Sequence, residues 1–161
     1  MCEVGASSRT CGPAGGARIN KQGCDMALVT WSDKLSVGVK SIDDQHKKLV
    51  TLLNQLHDGM MAGKGKDVVA IVLKGLVDYT ASHFKYEEDL FARTGYPDAA
   101  AHKQEHAELV RKVVEIHQKY EATGPSVLTI QVMNFLKDWL TKHILGDDMR
   151  YGPHLNAKGI Q

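Results

Sequence analysis

The sequence predicts an all-α protein that folds as an antiparallel up-and-down four-helix bundle. From Ile42 onward, apolar residues recur with the helical period in four segments, each of roughly 20 residues. The connections between these segments are short and contain glycine or proline, and short connections favour antiparallel neighbours. No segment of this region shows the apolar–polar alternation of a β-strand.

The first two helices follow from their apolar stripes and their stop signals. We predict that the first helix begins at Ile42 and ends at Gly63 and Gly65, because glycine terminates helices. Its stripe consists of Ile42, His46, Leu49, Val50, Leu53, Leu56 and Met60. The second helix is predicted over residues 67–92, with a stripe of Val69, Leu73, Leu76, Thr80, His83, Glu87 and Phe91.

The third and fourth helices are defined in the same way. Gly95 ends the second helix and Pro97 favours the start of the third, which we predict over residues 98–121. Its stripe consists of Ala99, His102, His106, Leu109, Val113 and Ile116. The fourth helix is predicted over residues 126–147, with Val132, Leu136, Trp139 and His143 in line.

The N-terminal region differs from the helical body. Residues 1–25 are rich in glycine, serine and alanine, and predict a disordered extension. All three cysteines, Cys2, Cys11 and Cys24, lie there, so no thiol remains for disulfides or metal binding in the body. Met26 opens the run MALVTW and is the candidate native start. We therefore expect one helical domain over residues 26–161.

Charge and hydropathy argue against two classes of partner. The chain has 20 basic and 19 acidic residues, a net charge of +1 that does not favour nucleic-acid binding. No apolar run approaches the ~18 residues of a membrane span, and residues 1–25 lack the apolar core of a secretory signal. We expect a cytoplasmic protein with no nucleic-acid or membrane partner.

Histidines on the apolar stripes are the main functional signal. A buried imidazole or carboxylate costs several kcal/mol unless a partner compensates it. One buried histidine is most simply explained by a hydrogen bond, but five inward histidines with one glutamate favour a cluster. In an antiparallel bundle, the start of the first and third helices and the end of the second and fourth meet at one end. The predicted cluster there consists of His46, His83, Glu87, His102, His106 and His143.

The composition of this cluster predicts a metal site. Five imidazoles exceed what one ion takes from a protein, which favours two metal ions near one end of the bundle. Imidazole and carboxylate without thiolate suit iron, manganese or zinc. The chain contains no Glu-x-x-His sequence, so the site differs from the ferritin-like carboxylate centres.

Four short motifs, in order, resemble the ligand segments of the hemerythrin family. They are DDQHKKL, HFKYEE, HKQEH and HILGDD, which contain the histidines of the predicted cluster. Trp31, SVGV at residues 36–39 and YGPHL at residues 151–155 are similar to the single-domain bacterial branch, the bacteriohemerythrins. The resemblance extends from Met26 to residue 161.

This resemblance implies a centre of two iron ions bridged by carboxylates and a solvent-derived oxygen. One iron is expected on His102, His106 and His143, and the other, with an open position for O2, on His46 and His83. Glu87 and Asp148 are the implied bridges. Regular helix geometry instead favours Asp147, since Asp148 lies five residues after His143 and about 140° around the helix. Asp148 is the preferred assignment, with Gly146 expected to loosen the helix end.

The resemblance also implies function. We expect reversible O2 binding for oxygen storage, transport, delivery or sensing, without enzymatic activity. The alternative is a di-iron oxidase or reductase that acts on O2, peroxide or nitric oxide. Trp139 and Leu140, one turn before His143, are expected to wall the ligand pocket and slow autoxidation. Family members of this type suggest a monomer, with an oxygen-requiring enzyme as a candidate recipient. His57 and His117 are expected at the edge of the core, and His154 in an exposed tail.

Overall fold

The predicted four-helix bundle is confirmed by the structure, a computed structural model that describes residues 27–64, 66–128 and 130–161. Every regular element among these residues is helical. The five α-helices are α1 (Lys40–Met61), α2 (Lys66–Thr94), α3 (Ala99–Thr123), α4 (Ile130–His143) and α5 (Met149–Ala157). The proposed extension over residues 1–25 and the proposed start at Met26 lie outside the described residues.

The apolar stripes of the first four helices meet in one core. Each helix contributes side chains that are almost fully buried, among them Leu53, Leu73, Leu109 and Met133. Burial of a side chain of this size contributes about 1.5–3 kcal/mol to folding. The core therefore holds the four long helices together along the bundle. No helix in the described parts of the chain combines the length and apolar character needed to cross a membrane.

The two ends of the bundle are fixed by specific contacts. At one end, Gly95 closes α2 with a φ of 68°, a left-handed conformation that glycine adopts without strain. Its N–H donates to the carbonyl oxygen of Phe91 at 2.9 Å. At the other end, the buried Tyr120 hydroxyl donates to the carbonyl oxygen of Lys66 at 2.8 Å. This second bond joins the end of α3 to the start of α2.

The C-terminal part of the sequence departs from the prediction. The fourth helix was expected over residues 126–147, followed by a tail, but α4 begins at Ile130 and α5 follows it. Pro125 lies in a short 3₁₀ turn, which delays the start of α4. A π-helical turn, Ile144–Asp148, joins α4 to α5.

Helix α5 forms despite its Gly–Pro pair because it has a buried face. Tyr151 and Leu155 are one turn apart on the helix, and both are fully buried. The adjacent Gly152 is needed for close packing, since a Cβ atom there would lie 2.2 Å from the carbonyl oxygen of Val37. His154, expected to be exposed, is half-buried, with its Nε2 3.2 Å from the carbonyl oxygen of Thr94. The end of the chain therefore packs on the bundle.

The segment before α1 is fixed by side-chain hydrogen bonds. Asp43 accepts bonds from the backbone N–H of Val37 at 2.8 Å and from the hydroxyl of Ser36 at 2.5 Å. Farther along α1, the Asn54 amide exchanges two hydrogen bonds with the backbone of Val29, at 2.9 and 3.0 Å. These contacts place the segment against α1, where Val37 also meets α5.

Candidate metal centre

Seven predicted side chains converge at one end of the bundle. They come from α1, α2, α3, α4 and the π-helical turn: His46, His83, Glu87, His102, His106, His143 and Asp148. None of the seven is more than 5% exposed. Their potential ligand atoms fall into groups within 4.8 Å, and Glu87 belongs to the groups on both sides. The structure therefore forms one buried cluster.

Glu87 lies between the two groups of histidines. Its Oε1 atom is 3.4 Å from Nε2 of His83 and 3.7 Å from Nε2 of His46. Its Oε2 atom is 3.1 Å from Nε2 of His106 and 3.9 Å from Nε2 of His102. One carboxylate thus directs one oxygen toward each side of the cluster.

Asp148 repeats this arrangement. Its Oδ2 atom is 3.2 Å from Nε2 of His46. Its Oδ1 atom is 3.3 Å from Nε2 of His102 and 3.2 Å from Nε2 of His143. Two carboxylates that each face both histidine groups leave two candidate cation positions between the side chains. We name them the two-histidine position (His46, His83) and the three-histidine position (His102, His106, His143).

The hydrogen bonding within the cluster is incomplete. The buried atoms without a hydrogen-bond partner include Glu87 Oε2, both carboxylate oxygens of Asp148, and Nε2 of His46, His102, His106 and His143. Leaving such atoms unpaired costs roughly 1–3 kcal/mol each. Cations bound between these atoms would satisfy all of them, and the donor set of imidazole and carboxylate suits iron. The residues present therefore fit a two-metal centre.

Burial and the two carboxylates shift several pKa values within the cluster. Burial lowers the pKa of His46, but the nearby carboxylates of Asp148 and Glu87 outweigh burial and raise the pKa to about 9. The same causes raise the pKa of His102 to about 9. Burial lowers the pKa of His83 to about 4. Burial alone would raise the pKa of Glu87, but the surrounding histidines hold it well below its usual range. The carboxylate of Glu87 is therefore ionised at neutral pH.

The π-helical turn explains why Asp148 rather than Asp147 lies inside. The N–H of Met149 bonds to the carbonyl oxygen of Ile144, five residues earlier, so the turn is wider than in an α-helix. This brings Asp148 onto the inner face, fully buried. Gly146 has no positive φ, and a Cβ atom there would meet nothing within 4 Å. The turn does not use the conformational freedom of glycine.

The outer nitrogens of three histidines lie close to polar side chains that the sequence analysis did not assign to this role. Nδ1 of His83 lies 3.1 Å from Oε1 of Gln45. Nδ1 of His106 lies 3.2 Å from Oε1 of Glu88, and Nδ1 of His143 lies 3.5 Å from Oδ2 of Asp147. Each of these polar residues is next in sequence to an inner residue of the cluster, which is the signal that could have identified it.

Tyr151 also contacts the cluster, a role that the sequence analysis did not identify. It is fully buried in α5, and its hydroxyl donates a hydrogen bond to Oε1 of Glu87. Burial, followed by the charges of Asp148 and Glu87, raises the pKa of Tyr151 well above its usual value. The hydroxyl therefore keeps its proton and remains a donor.

Aromatic and aliphatic side chains wall the cluster. The Phe84 ring stacks on the His106 ring with centroids 3.7 Å apart, and the Trp139 ring stacks on His143 at 5.1 Å. Trp139 and Leu140 also line a small cavity of about 20 Å³ together with Thr80. These three residues precede His83 and His143 by about one helical turn. An apolar space therefore lies next to the cluster along the bundle axis.

Comparisons with known proteins agree with this geometry. Residues 37–155 match the hemerythrin HHE cation-binding domain. The chain is 37% identical to a bacteriohemerythrin of Stenotrophomonas maltophilia over 82% of its length and 84% of that protein. It is 38% identical to a bacteriohemerythrin of Methylococcus capsulatus over 82% of its length and 100% of that protein. A wild-type hemerythrin crystal structure superposes with a TM-score of 0.75 at 38% identity, over 80% of this chain and 98% of the other. The resemblance noted in the sequence is confirmed, and the chain belongs to the hemerythrin family.

Proposed function

We propose that the chain binds O2 reversibly at a non-haem di-iron centre and is not an enzyme. The observation that carries this proposal is the pair of buried carboxylates that each face both histidine groups. In this proposal Glu87 and Asp148 would help to hold both iron ions. His102, His106 and His143 hold one ion, and His46 and His83 hold the other.

The two positions differ in how many atoms the protein supplies. Three imidazole nitrogens and two carboxylate oxygens face the three-histidine position, whereas two nitrogens and two oxygens face the two-histidine position. The two-histidine position is therefore the more open to a small ligand. When bound, ferrous ions supply the electrons and the open coordination position that O2 binding requires.

The surroundings support binding of a diatomic molecule over oxidation of an organic substrate. A cavity holds one water molecule when about 10–15 Å³ is available to it. The cavity beside Trp139 and Leu140, at about 20 Å³, has room for a molecule of the size of O2. Apolar walls also exclude water from the buried centre, which favours slow autoxidation.

The cellular role belongs to the same proposal. Relatives named bacteriohemerythrin in two bacteria support a single helical domain over residues 26–161. We infer a cytoplasmic monomer that stores O2 or delivers it to an oxygen-requiring enzyme.

An optical titration tests the function. The iron-loaded protein is reduced without air, exposed to O2 and then deoxygenated, while its visible spectrum is recorded through several cycles. We expect a visible band that appears with O2 and disappears when O2 is removed. Irreversible oxidation on the first exposure, or sustained consumption of O2, peroxide or nitric oxide with an electron donor, would instead support the oxidase or reductase alternative.

Two matched histidine variants test whether iron and O2 binding depend on this cluster. His106→Gln removes an inner imidazole, whereas His117→Gln removes one that lies outside the cluster, in ion-pair range of Glu121. We expect the first variant to lose iron and O2 binding and the second to retain both. Equal loss in the two variants would contradict the assignment.

A further inference from the structure

We propose that the two cation positions are unequal, so that the three-histidine position binds the first divalent cation and the two-histidine position the second. Gln45 and Tyr151 are the positioning residues that keep the two-histidine position weaker. The inference rests on the proposed function only in taking the cluster to be a two-cation site. The order in which the two positions bind cations follows from side chains outside the seven ligands.

Outer carboxylates support the three-histidine position. Oε1 of Glu88 lies 3.2 Å from Nδ1 of His106, and Oδ2 of Asp147 lies 3.5 Å from Nδ1 of His143. A carboxylate that accepts the Nδ1 proton of an imidazole orients the ring and makes its Nε2 atom a stronger ligand. The imidazole of His106 is therefore strengthened, and the carboxylate of Asp147 lies within ion-pair distance of His143.

The two-histidine position has no such support. Nδ1 of His83 donates to the neutral amide oxygen of Gln45 at 3.1 Å. Nδ1 of His46 is buried and has no hydrogen-bond partner. Neither imidazole is therefore backed by a carboxylate, and a neutral amide strengthens Nε2 less than an anion does.

Tyr151 adds to the inequality through Glu87. Its hydroxyl donates to Oε1, the carboxylate oxygen that faces His46 and His83. The other oxygen, Oε2, faces the three-histidine position and accepts no hydrogen bond. A donated hydrogen bond draws electron density from the oxygen that accepts it. The bridge is thus a weaker ligand on the two-histidine side.

Two isosteric substitutions act on the two positions separately. Gln45→Glu gives His83 a carboxylate partner, and Glu88→Gln removes the carboxylate partner of His106. Changes to outer partners of metal-binding histidines alter affinity by about 10–100-fold. We expect Gln45→Glu to strengthen the second binding step about tenfold and Glu88→Gln to weaken the first step about tenfold.

The test is a cobalt(II) titration of the full-length metal-free protein, followed by calorimetry and by the visible bands of bound cobalt. We expect two resolved steps in the wild type. Gln45→Glu and Tyr151→Phe should strengthen the second step and leave the first unchanged, and Glu88→Gln should weaken the first. Thermal unfolding of each metal-free variant shows whether it is folded before titration.

A single unresolved step of two equivalents in the wild type would overturn the proposal, as would a Gln45→Glu effect on the first step alone. The experiment uses no O2, so its outcome is separate from that of the optical titration. Stepwise cobalt binding in a protein that does not bind O2 reversibly would refute the function and leave the loading order intact. Reversible O2 binding together with a single cobalt step would support the function and refute the loading order.

Discussion

The contact between Gly152 and the backbone of Val37 can be tested with one methyl group. A Cβ atom at residue 152 would lie 2.2 Å from the Val37 carbonyl oxygen, 0.8 Å short of the 3.0 Å below which real contacts essentially never occur. The obstacle is backbone and not a flexible side chain, so Gly152→Ala must displace α5 or the segment before α1. Overpacking of this kind costs about 1–3 kcal/mol.

The free-energy cost of Gly152→Ala translates into a measurable change in Tm. For a domain of this size, each kcal/mol lowers Tm by about 2–4 °C, so Gly152→Ala should lower it by roughly 2–12 °C. The control is Gly146→Ala, where the added Cβ meets nothing and φ is not positive. That substitution should leave Tm unchanged or raise it slightly, because alanine reduces the entropy of the unfolded chain.

The assay is thermal unfolding of the metal-free proteins, followed by circular dichroism, with iron content measured after loading. A shift of α5 also displaces the adjoining π-helical turn that carries Asp148, so Gly152→Ala should load iron less completely than Gly146→Ala. An unchanged Tm in Gly152→Ala, or a larger loss in Gly146→Ala, would refute the packing of α5 against Val37.

Three further outcomes follow from the structure. Asp148→Asn should lose most of the bound iron, whereas Asp147→Asn should keep it with weaker affinity; metal analysis of the purified variants decides between them, and the reverse result would place Asp147 inside. Removal of iron with a chelator should lower Tm, because a cation present at 1,000 times its Kd stabilises the fold by about 4 kcal/mol; equal Tm values would mean that no cation binds the folded state preferentially. Tyr120→Phe removes the hydroxyl that bonds to the carbonyl oxygen of Lys66 and should cost about 1 kcal/mol without change in iron content; calorimetric unfolding and metal analysis check both parts.

The bundle and the inner histidines could be predicted because both depend on the helical period. Stripes such as that of His83 and Glu87 repeat every three to four residues, and antiparallel order places them at a common end. Burial of one face of each helix is the physical cause of the stripes, and it appears in the sequence as an apolar period. The structure then brings these side chains together as the stripes require.

The π-helical turn and α5 could not be predicted in the same way. The Gly–Pro pair at residues 152–153 is typical of a helix end, and only packing of Tyr151 and Leu155 against the bundle outweighs it. The outer partners depend on ring orientation. Whether Gln45 contacts the neighbouring His46 or the distant His83 is decided by the way α1 and α2 face each other.

The position of the cluster has a consequence for rigidity along the bundle. Its members come from four long helices and the turn after α4, so cations held there would cross-link segments that are far apart in sequence. The opposite end relies on contacts such as that between Tyr120 and Lys66, which lie outside the cluster. Backbone amides near the cluster would therefore gain protection from hydrogen exchange on loading, while those near Tyr120 would exchange as before. Loss of metal would loosen one end of the molecule and leave the other end folded.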